Sequence, residues 1–345
     1  MPIPYKIELF DRNFAFRSFS PLPHQDIEFD YLTMARISLD VPPIAAEKGD
    51  YAIISSGAEQ IFCGVVDDVA AKNRTTSLSL KPIQALFEAG IAARTIASGS
   101  VETSLADALR DNFINSGDSL QNIPGLSIST TTSTSGSLLG DQPLVFISDL
   151  IRTALSVYSV VMWVDLYPQE KEVRVTIGRV ADHVTIEADL PAILEREIVL
   201  GDSYGQLNKL IVLDEADVSR RAVYYLHTDG TISTKDRLRV TPVFVDTILV
   251  RAADAAEFAE QAYTQAYNAL APQQYDNMIE LTAPINSKVF PAFLPIGARA
   301  DVKHNGKTYK SILTGFIRGA LNMTLVFGVV RVDLTKKLTL QSSKK

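Results

Sequence analysis

The sequence predicts an α+β fold that is predominantly β, in which two small, tube-like β-barrel domains enclose an inserted α+β domain. Two observations lead to this prediction. Near the C-terminus, Asn305-Gly306 separates two extended runs, and this dipeptide favours a two-residue type I′ hairpin because both central residues need positive φ. Near the N-terminus, residues 49–80 show the same order of glycines, strands and turns with different residue types.

Short segments with alternating apolar and polar side chains make residues 1–95 a predicted first barrel. The predicted strands lie at residues 27–32, 35–39, 50–54, 60–69 and 75–80. Turn signals separate them at regular intervals, and this spacing is typical of a barrel or a sandwich.

Residues 96–200 read as an inserted α+β domain. Ser104 and Asp107 are spaced like a capping box, which predicts a helix from Ser104 to about Asn115. Residues 127–137 are almost all Ser and Thr and predict a solvated loop. A second helix is predicted to start at Ser148, and residues 160–177 predict a hairpin.

Residues 201–272 predict strands that complete the barrels, together with a linking helix. The strands lie at 209–213 and 222–226, and Asp229-Gly230 predicts another hairpin turn. Alanines recur at helical spacing between residues 252 and 270, and Pro272 ends that pattern. Residues 273–345 then form the predicted second barrel.

The two β-rich ends follow the same plan. Gly49, a turn at Gly57 and the aromatic Phe62 correspond in order to Gly297, a turn at Gly306 and Tyr309. The offsets agree within a residue or two, while the residue identities scarcely agree. This weak self-similarity predicts a duplication, and chance is the alternative because hairpins are common.

Composition limits the classes of function. A chain of 345 residues with 46% apolar content is long enough for about two domains. The net charge is −7, and Lys and Arg are scattered along the chain. This argues against a protein that binds nucleic acid through a basic patch, but it is compatible with an acidic surface lining a channel through which nucleic acid passes. Cys63 is the single cysteine, so neither an internal disulfide nor a cysteine-rich zinc site is expected. With no signal peptide and no apolar run near 20 residues, the sequence predicts a soluble protein made in a cytoplasm.

One motif resembles a catalytic site. Residues 201–205, Gly-Asp-Ser-Tyr-Gly, match a nucleophile elbow centred on Ser203. An elbow needs a helix directly after it, whereas residues 209–213 predict a strand. A plain Gly-Ser loop is therefore the favoured interpretation.

The remaining reactive residues do not form a convincing site. Cys63 lies in a predicted strand and reads as a small buried hydrophobe. The four histidines, which are isolated from one another, show no pair at metal-ligand spacing; they are His24, His183, His227 and His304. Two of them, His227 and His304, lie in predicted turns, so exposed polar residues are the favoured interpretation. Asp214, Glu215 and Asp217 predict a solvated turn. No catalytic, metal or cofactor site is predicted, and the chain is not expected to be an enzyme.

The sequence resembles the baseplate hub, or N-terminal tail-associated module, of tailed bacteriophages, which is also similar to the N-terminal part of type VI secretion spike proteins. Glycine, turn and strand patterns over most of the chain carry this resemblance. They are residues 49–51 with 64–67, 225–230 with 239–242, the Ala-rich helix to Leu270, and 296–297 through 309, 313–315, 327–328 and 331–337.

The resemblance implies a structural protein of the virion tail tip, synthesised in the host bacterial cytoplasm. Family members carry two related barrels per chain, so a homotrimer closes a ring of six barrels. The implied partners are the tail tube or distal tail protein, the tape measure protein, and a spike, plug or receptor-binding protein. DNA is implied only in transit, and no stable membrane association is implied.

The sequence leaves two alternatives open, and one of its features departs from the family. The alternatives are a serine hydrolase that uses Ser203 and a carbohydrate-binding tail protein with Tyr224 and Tyr225 exposed on one face. Unlike many relatives, the chain ends soon after the last predicted barrel. Wall-degrading or receptor-binding activity is then expected on another polypeptide, unless this sequence is a piece of a longer protein.

Overall fold

The computed structural model describes residues 5–22, 25–92, 99–138, 144–200, 207–236, 244–290 and 294–330. The described residues are mostly β, as predicted. The chain divides into two compact units, each assembled from several segments. Unit 1 comprises Met1–Ala181, Ala283–Ser287 and Gly315–Thr324, and unit 2 comprises Asp182–Thr282, Lys288–Thr314 and Leu325–Lys345.

Unit 1 contains twelve of the described strands and two α-helices. The strands are β1 (Tyr5–Phe10), β2 (Phe16–Leu22), β3 (Ile27–Asp30), β4 (Ile37–Val41), β5 (Tyr51–Ser56), β6 (Glu59–Ala71), β7 (Thr76–Pro82), β8 (Gly90–Ala92), β9 (Leu126–Thr130), β10 (Leu144–Phe146), β11 (Val160–Tyr167) and β12 (Glu172–Arg179). The helices are α1 (Val101–Phe113) and α2 (Ile147–Tyr158).

The remaining described elements belong wholly or mainly to unit 2. They are β13 (His183–Glu187), β14 (Glu195–Leu200), β15 (Lys209–Asp214), β16 (Arg221–Leu226), β17 (Ile232–Ser233), β18 (Val245–Val250), α3 (Ala255–Leu270), β19 (Asn277–Pro284), β20 (Arg299–His304), β21 (Lys307–Arg318) and β22 (Asn322–Phe327). The unit boundary falls within β19, β21 and β22, so these three strands contribute residues to both units.

The first sheet of unit 1 runs in the order β2-β1-β5-β6-β7-β4, and every neighbouring pair is antiparallel. Alternate residues of these strands point to one side and form a fully buried apolar core, which includes Ile7, Leu39, Ile54 and Leu78. The period-2 pattern that predicted these strands therefore marks the side chains of a real core.

The helices of unit 1 begin close to the predicted positions, but the cap of α1 differs. Ser100 is the N-cap, and its hydroxyl accepts a hydrogen bond from the backbone N–H of Thr103. Ser104, the predicted cap, lies inside the helix, and its hydroxyl donates to the carbonyl of Ser100. The error arose because both serines precede apolar helical positions, and only the backbone conformation at Ser100 is extended as an N-cap requires.

The Ser/Thr-rich segment is more ordered than predicted. Residues Leu126–Thr130 form β9, which pairs in parallel with β12. Glu102 is fully buried and accepts hydrogen bonds from the hydroxyls of Thr132 and Thr134 and from the N–H of Thr134, at 2.6–2.7 Å. Burial acts to raise the pKa of Glu102, but these hydrogen bonds outweigh it and lower that pKa. A buried carboxylate therefore holds part of the segment predicted as a solvated loop.

The described residues of unit 2 contribute to two sheets. In the larger one the order is β13-β20-β21-β22-β19-β14, with β13 parallel to β20 and β14 antiparallel to β19. The smaller sheet has the order β17-β16-β15-β18, in which β18 lies parallel to β15.

Helix α3 covers one face of the smaller sheet. Asp254 caps its N-terminus by accepting hydrogen bonds from the N–H groups of Ala256 and Glu257. Its buried stripe is Phe258, Ala262, Ala266 and Leu270, which packs against the sheet residues Leu210, Val212, Tyr224, Leu226 and Val250. The Ala-rich helix predicted from residues 252–270 is confirmed.

Candidate docking modules

Two matching groups of strands stand out in the described structure. We call β5, β6 and β7 the N-terminal triplet, and β20, β21 and β22 the C-terminal triplet. In each, a two-residue turn joins the first two strands, Gly57-Ala58 in one and Asn305-Gly306 in the other. Asn305 and Gly306 have φ of 50° and 71°, so the predicted hairpin with two left-handed central residues is confirmed.

A pair of reciprocal hydrogen bonds closes the start of each triplet. Gly49 donates from its N–H to the carbonyl of Val66 at 2.7 Å, and Val66 donates back to the carbonyl of Asp50 at 2.8 Å. Gly297 donates in the same way to Leu313, and Leu313 donates to Ala298, both at 2.8 Å. The two glycines have nearly the same positive φ, +92° and +89°, which L side chains rarely adopt.

The two triplets differ in length by one residue, and a β-bulge accounts for it. Val66 follows Gly49 by 17 positions, whereas Leu313 follows Gly297 by 16. The register between β5 and β6 shifts after Ile54, whereas β20 and β21 pair without a shift. A bulge inserts one extra residue into one strand, so positions before and after the bulge in the N-terminal triplet correspond to positions in the C-terminal triplet.

Burial follows the same correspondence. Ala52 and Ala300 are buried at matching positions of the first strands. Val66 and Leu313 are the hydrogen-bond partners of the two glycines. In the third strands, Leu80 follows Val66 by 14 positions and Phe327 follows Leu313 by 14, and both side chains are completely buried. The alternation of apolar residues therefore serves the same inward face in both triplets.

Polar contacts hold the C-terminal triplet within unit 2. Asn277 donates from Nδ2 to the carbonyl of Lys310 at 2.8 Å and accepts from the hydroxyl of Ser311 at 2.6 Å. Thr314 donates from Oγ1 to the carbonyl of Gly328 at 2.9 Å. Asn277, Ser311 and Thr314 are all buried. These contacts therefore stabilise the fold only while each polar group keeps its hydrogen-bond partner.

The end of β21 is fixed inside unit 1. Gly315–Arg318 pairs antiparallel with β3, and a Cβ on Gly315 would lie 2.6 Å from the carbonyl oxygen of Phe29. The Arg318 guanidinium donates two hydrogen bonds of 2.8 Å to the carboxylate of Glu59. This bidentate contact lowers the pKa of Glu59, and it joins residues 259 positions apart, a pairing that the sequence pattern did not indicate.

The thiol of Cys63 lies in β6, as predicted. Burial raises its pKa to about 12, with an opposing contribution from a hydrogen bond to the backbone of Leu166. A thiol with such a pKa is protonated at neutral pH and is not an activated nucleophile.

The acidic turn after β15 is only partly solvated. Asp214 is completely buried and pairs with Arg220 at 2.8 Å, so the predicted solvated turn is wrong at this position. Asp217 accepts from the hydroxyl and N–H of Ser219. A buried charge requires a partner, and Arg220 provides it, so these acids hold the turn.

Two histidines are less exposed than predicted. His227 is buried, and its ring contacts the carbonyl of Lys235 at 2.8 Å. The His304 ring lies 2.6 Å from Asp189, which follows β13. His183 contacts Asp301 at 3.2 Å, and His24 lies outside the described residues. The described part of the chain holds no group of three or more His, Cys, Asp or Glu residues that fits a metal ion.

The two alternatives gain no support from the geometry. Ser203 and the rest of the elbow motif lie outside the described residues, and the strand β15 begins at Lys209, where an elbow needs its helix. Tyr224 and Tyr225 occupy successive positions of β16 and therefore point to opposite faces. Tyr224 is buried under α3, so the expected pair of tyrosines on one exposed face is wrong.

No protein-family model matches this sequence, and no curated protein matches it either. Solved structures do match along nearly the whole chain. A tail protein from Neisseria meningitidis MC58 is 15% identical with a TM-score of 0.55, and 94% of this chain covers 96% of that one. The 43 kDa tail protein of prophage MuSo2 from Shewanella oneidensis is 13% identical with a TM-score of 0.51, and the overlap covers 94% of each chain.

The chain has the fold of phage tail proteins. A third match, prophage tail protein gp18 from Listeria monocytogenes EGD-e, covers 98% of both chains at 10% identity and a TM-score of 0.51. Such low identities show a shared fold and leave the chemistry of the surface to the residues themselves. Within the described residues, no helix of this tail-protein fold is long and apolar enough to cross a membrane.

Proposed function

We propose that this chain is a structural hub protein of a phage tail tip or baseplate, and that it docks other tail components without catalysing a reaction. The observation that supports this most strongly is the near-complete coverage of several tail-protein folds by this chain. The proposal places the protein in the virion, after synthesis in the cytoplasm of a bacterial host.

The matching triplets support a ring-forming role. One chain then presents two equivalent barrel modules, the duplication predicted from the sequence, and three chains present six. A homotrimer of this kind matches a threefold tip to a sixfold tube, since closed cyclic symmetry is the usual form of homo-oligomers. The predicted division at residues 95, 200 and 272 remains a prediction about where these modules begin and end.

The proposed partners are those that the family resemblance implies. The barrel ring binds the tail tube or distal tail protein on one side and a spike, plug or receptor-binding protein on the other. The lumen passes the tape measure protein and DNA in transit. A chain with a net charge of −7 suits such a passage because acidic walls repel phosphates.

The oligomeric state tests this proposal. Light scattering on the full chain should give a mass three times the 37.8 kDa of one chain. A monomeric mass at micromolar concentration contradicts the ring. On purified virions, an antibody against this chain should label the tail tip, and labelling of the capsid alone contradicts the assigned location.

A further inference from the structure

In the described part of the chain, the smaller sheet of unit 2 has one face under α3 and a second face that is exposed along β18 and mostly half-buried along β15 and β16. Alternate residues of β15, β16 and β18 point away from the helix. Val245 and Leu249 of β18 lie on that side and are 50% and 54% exposed. Large apolar side chains in this state indicate a surface that loses its water in a complex.

Strand pairing places nine residues on this side of the sheet. We call them the open face, and they form the rows Tyr225, Lys209 and Val245; Val223, Ile211 and Thr247; and Arg221, Leu213 and Leu249. Six of the nine are aliphatic or aromatic, so the middle of the open face is apolar.

The sequence of β15 fits a strand that is covered on both faces. Its residues Leu210–Leu213 are all apolar and do not alternate with polar ones. Such runs are typical of strands in parallel pairs that are buried on both sides, and β15 is paired in parallel with β18. Helix α3 covers the side of Leu210 and Val212. Among the described residues, Ile211 and Leu213 on the other side are only half-buried, short of the complete cover that the sequence of β15 indicates.

Charge restricts what can cover the open face. Lys209 and Arg221 lie at its two ends, and none of its nine residues is acidic, although the chain as a whole is acidic. A complementary surface is therefore apolar along its middle and carries carboxylate at its margin.

A largely exposed flank of α3 has this chemistry. Ala256, Glu260, Tyr263 and Tyr267 recur at spacings of 4, 3 and 4, so they form one stripe along the helix. Tyr263 is 50% exposed, and its ring is held by Tyr224 and Tyr267 at centroid distances of 6.1 and 6.0 Å. A tyrosine held in this way loses little entropy on binding, and tyrosine is common among residues that dominate interfaces.

The dimensions also agree. The stripe from Ala256 to Tyr267 spans about 17 Å at 1.5 Å per residue, and the three rows of the open face span about 13 Å at 3.3 Å per residue of strand. The stripe can therefore lie across the full length of the open face, as α3 does on the opposite face within the same chain.

We propose that the open face of one copy binds the α3 stripe of a second copy. The two surfaces differ, so the contact is head-to-tail and repeats around a closed ring. This interface rests on the proposed ring and identifies which residues join its subunits.

Crosslinking tests the pairing directly. Leu249→Cys and Tyr263→Cys are combined in one chain and treated with a short bismaleimide, and Cys63 is replaced by serine in every variant because it is only half-buried. Covalent dimers and trimers are expected from the double variant and from neither single variant. No crosslink in the double variant overturns the pairing, and so does a crosslink from Leu249→Cys alone, because that result means sheet-to-sheet packing.

A charge placed in the open face provides the second test. Leu249→Asp should reduce the mass from trimer to monomer at micromolar concentration with an unchanged circular dichroism spectrum; Leu249→Ser replaces it if the first variant does not fold. Leu120→Asp is the matched control, because Leu120 is 95% exposed in unit 1 and should leave the mass unchanged. A trimeric wild type with a trimeric Leu249→Asp overturns this interface and leaves the ring standing, whereas a monomeric wild type overturns both.

Discussion

The N-terminal and C-terminal triplets reach the same backbone arrangement with almost no shared side chains. Each begins at a glycine of positive φ, closes through two reciprocal hydrogen bonds and buries alternate residues. They differ in their surroundings, since the antiparallel β1 flanks one triplet and the parallel β13 flanks the other. The triplet arrangement therefore depends on the backbone conformation of the closing glycine and on apolar side chains that fill the core, and two sequences with little similarity can meet both requirements.

The two triplets also differ in how their interiors are held. The N-terminal triplet packs into an apolar cluster that includes Ile7, Leu39 and Leu78. The C-terminal triplet adds the buried polar network of Asn277, Ser311 and Thr314. Substitutions at matched apolar positions should therefore act alike, whereas loss of a polar partner should affect only the C-terminal triplet.

The largest expected effect comes from truncating the matched core residues. Phe327→Ala should lower the free energy of unfolding by about 4 kcal/mol and Leu80→Ala by about 3 kcal/mol, because each leaves a cavity at a completely buried site. Calorimetry on both variants measures this. A loss below about 1 kcal/mol in either one breaks the equivalence of the triplets, since it means that one third strand does not support a core.

Removal of the side-chain amide of Asn277 should destabilise the C-terminal triplet and leave the N-terminal triplet unaffected. Asn277→Ala leaves the hydroxyl of Ser311 and the carbonyl of Lys310 without their partner, and should cost about 2 kcal/mol. Hydrogen exchange read by mass spectrometry should then show faster exchange in β20 and β21, with β5 and β6 unchanged. Equal acceleration in both triplets would show that the network is not specific to the C-terminal one.

The paired glycines allow the closest test of equivalence. Gly49→Ala and Gly297→Ala should each cost about 1–2 kcal/mol, because alanine is strained at positive φ. Gly99→Ala is the control, since a Cβ there meets nothing within 4 Å and its φ lies outside the left-handed region. If one glycine tolerates alanine as Gly99 does, the shared closing geometry is not required by both triplets.

The smallest expected effect concerns the contact between Glu59 and Arg318. The pKa of Glu59 is lowered in the folded state, so the contact stabilises fully above the usual Glu pKa of about 4.3 and is lost progressively as pH falls from there through the lowered folded-state pKa. Glu59 is largely exposed, which limits the effect to less than about 1 kcal/mol. Glu59→Gln should therefore lower the melting temperature slightly at pH 7 and by less at pH 3. An equal loss at both values would mean that the carboxylate charge is not the cause.

Local sequence signals predicted much of the fold, because they report on nearby backbone. Asn305-Gly306 fixed a hairpin through its positive φ values, and the period of the alanines placed α3. The cap of α1 was wrong by four residues, since Ser100 and Ser104 are both followed by apolar helical positions and only the folded backbone distinguishes them.

Long-range contacts had no such signal. Neither the contact of Glu59 with Arg318 nor the assignment of residues 315–324 to unit 1 follows from any periodicity. The sequence predicts exposed positions for Asp214 and His227 because turn residues are usually solvated. Both are buried, and the groups that permit this, the guanidinium of Arg220 and the carbonyl of Lys235, reach them only in the folded loops. The candidate interface likewise emerged from strand register, which put Ile211 and Leu249 on one face.

Electron cryomicroscopy of the purified full chain tests the central proposal most directly. The proposed hub predicts closed rings of three copies around a lumen, with six copies of the triplet arranged at quasi-equivalent positions. Particles that are monomers, or rings in which the N-terminal and C-terminal triplets do not alternate around the lumen, would contradict it.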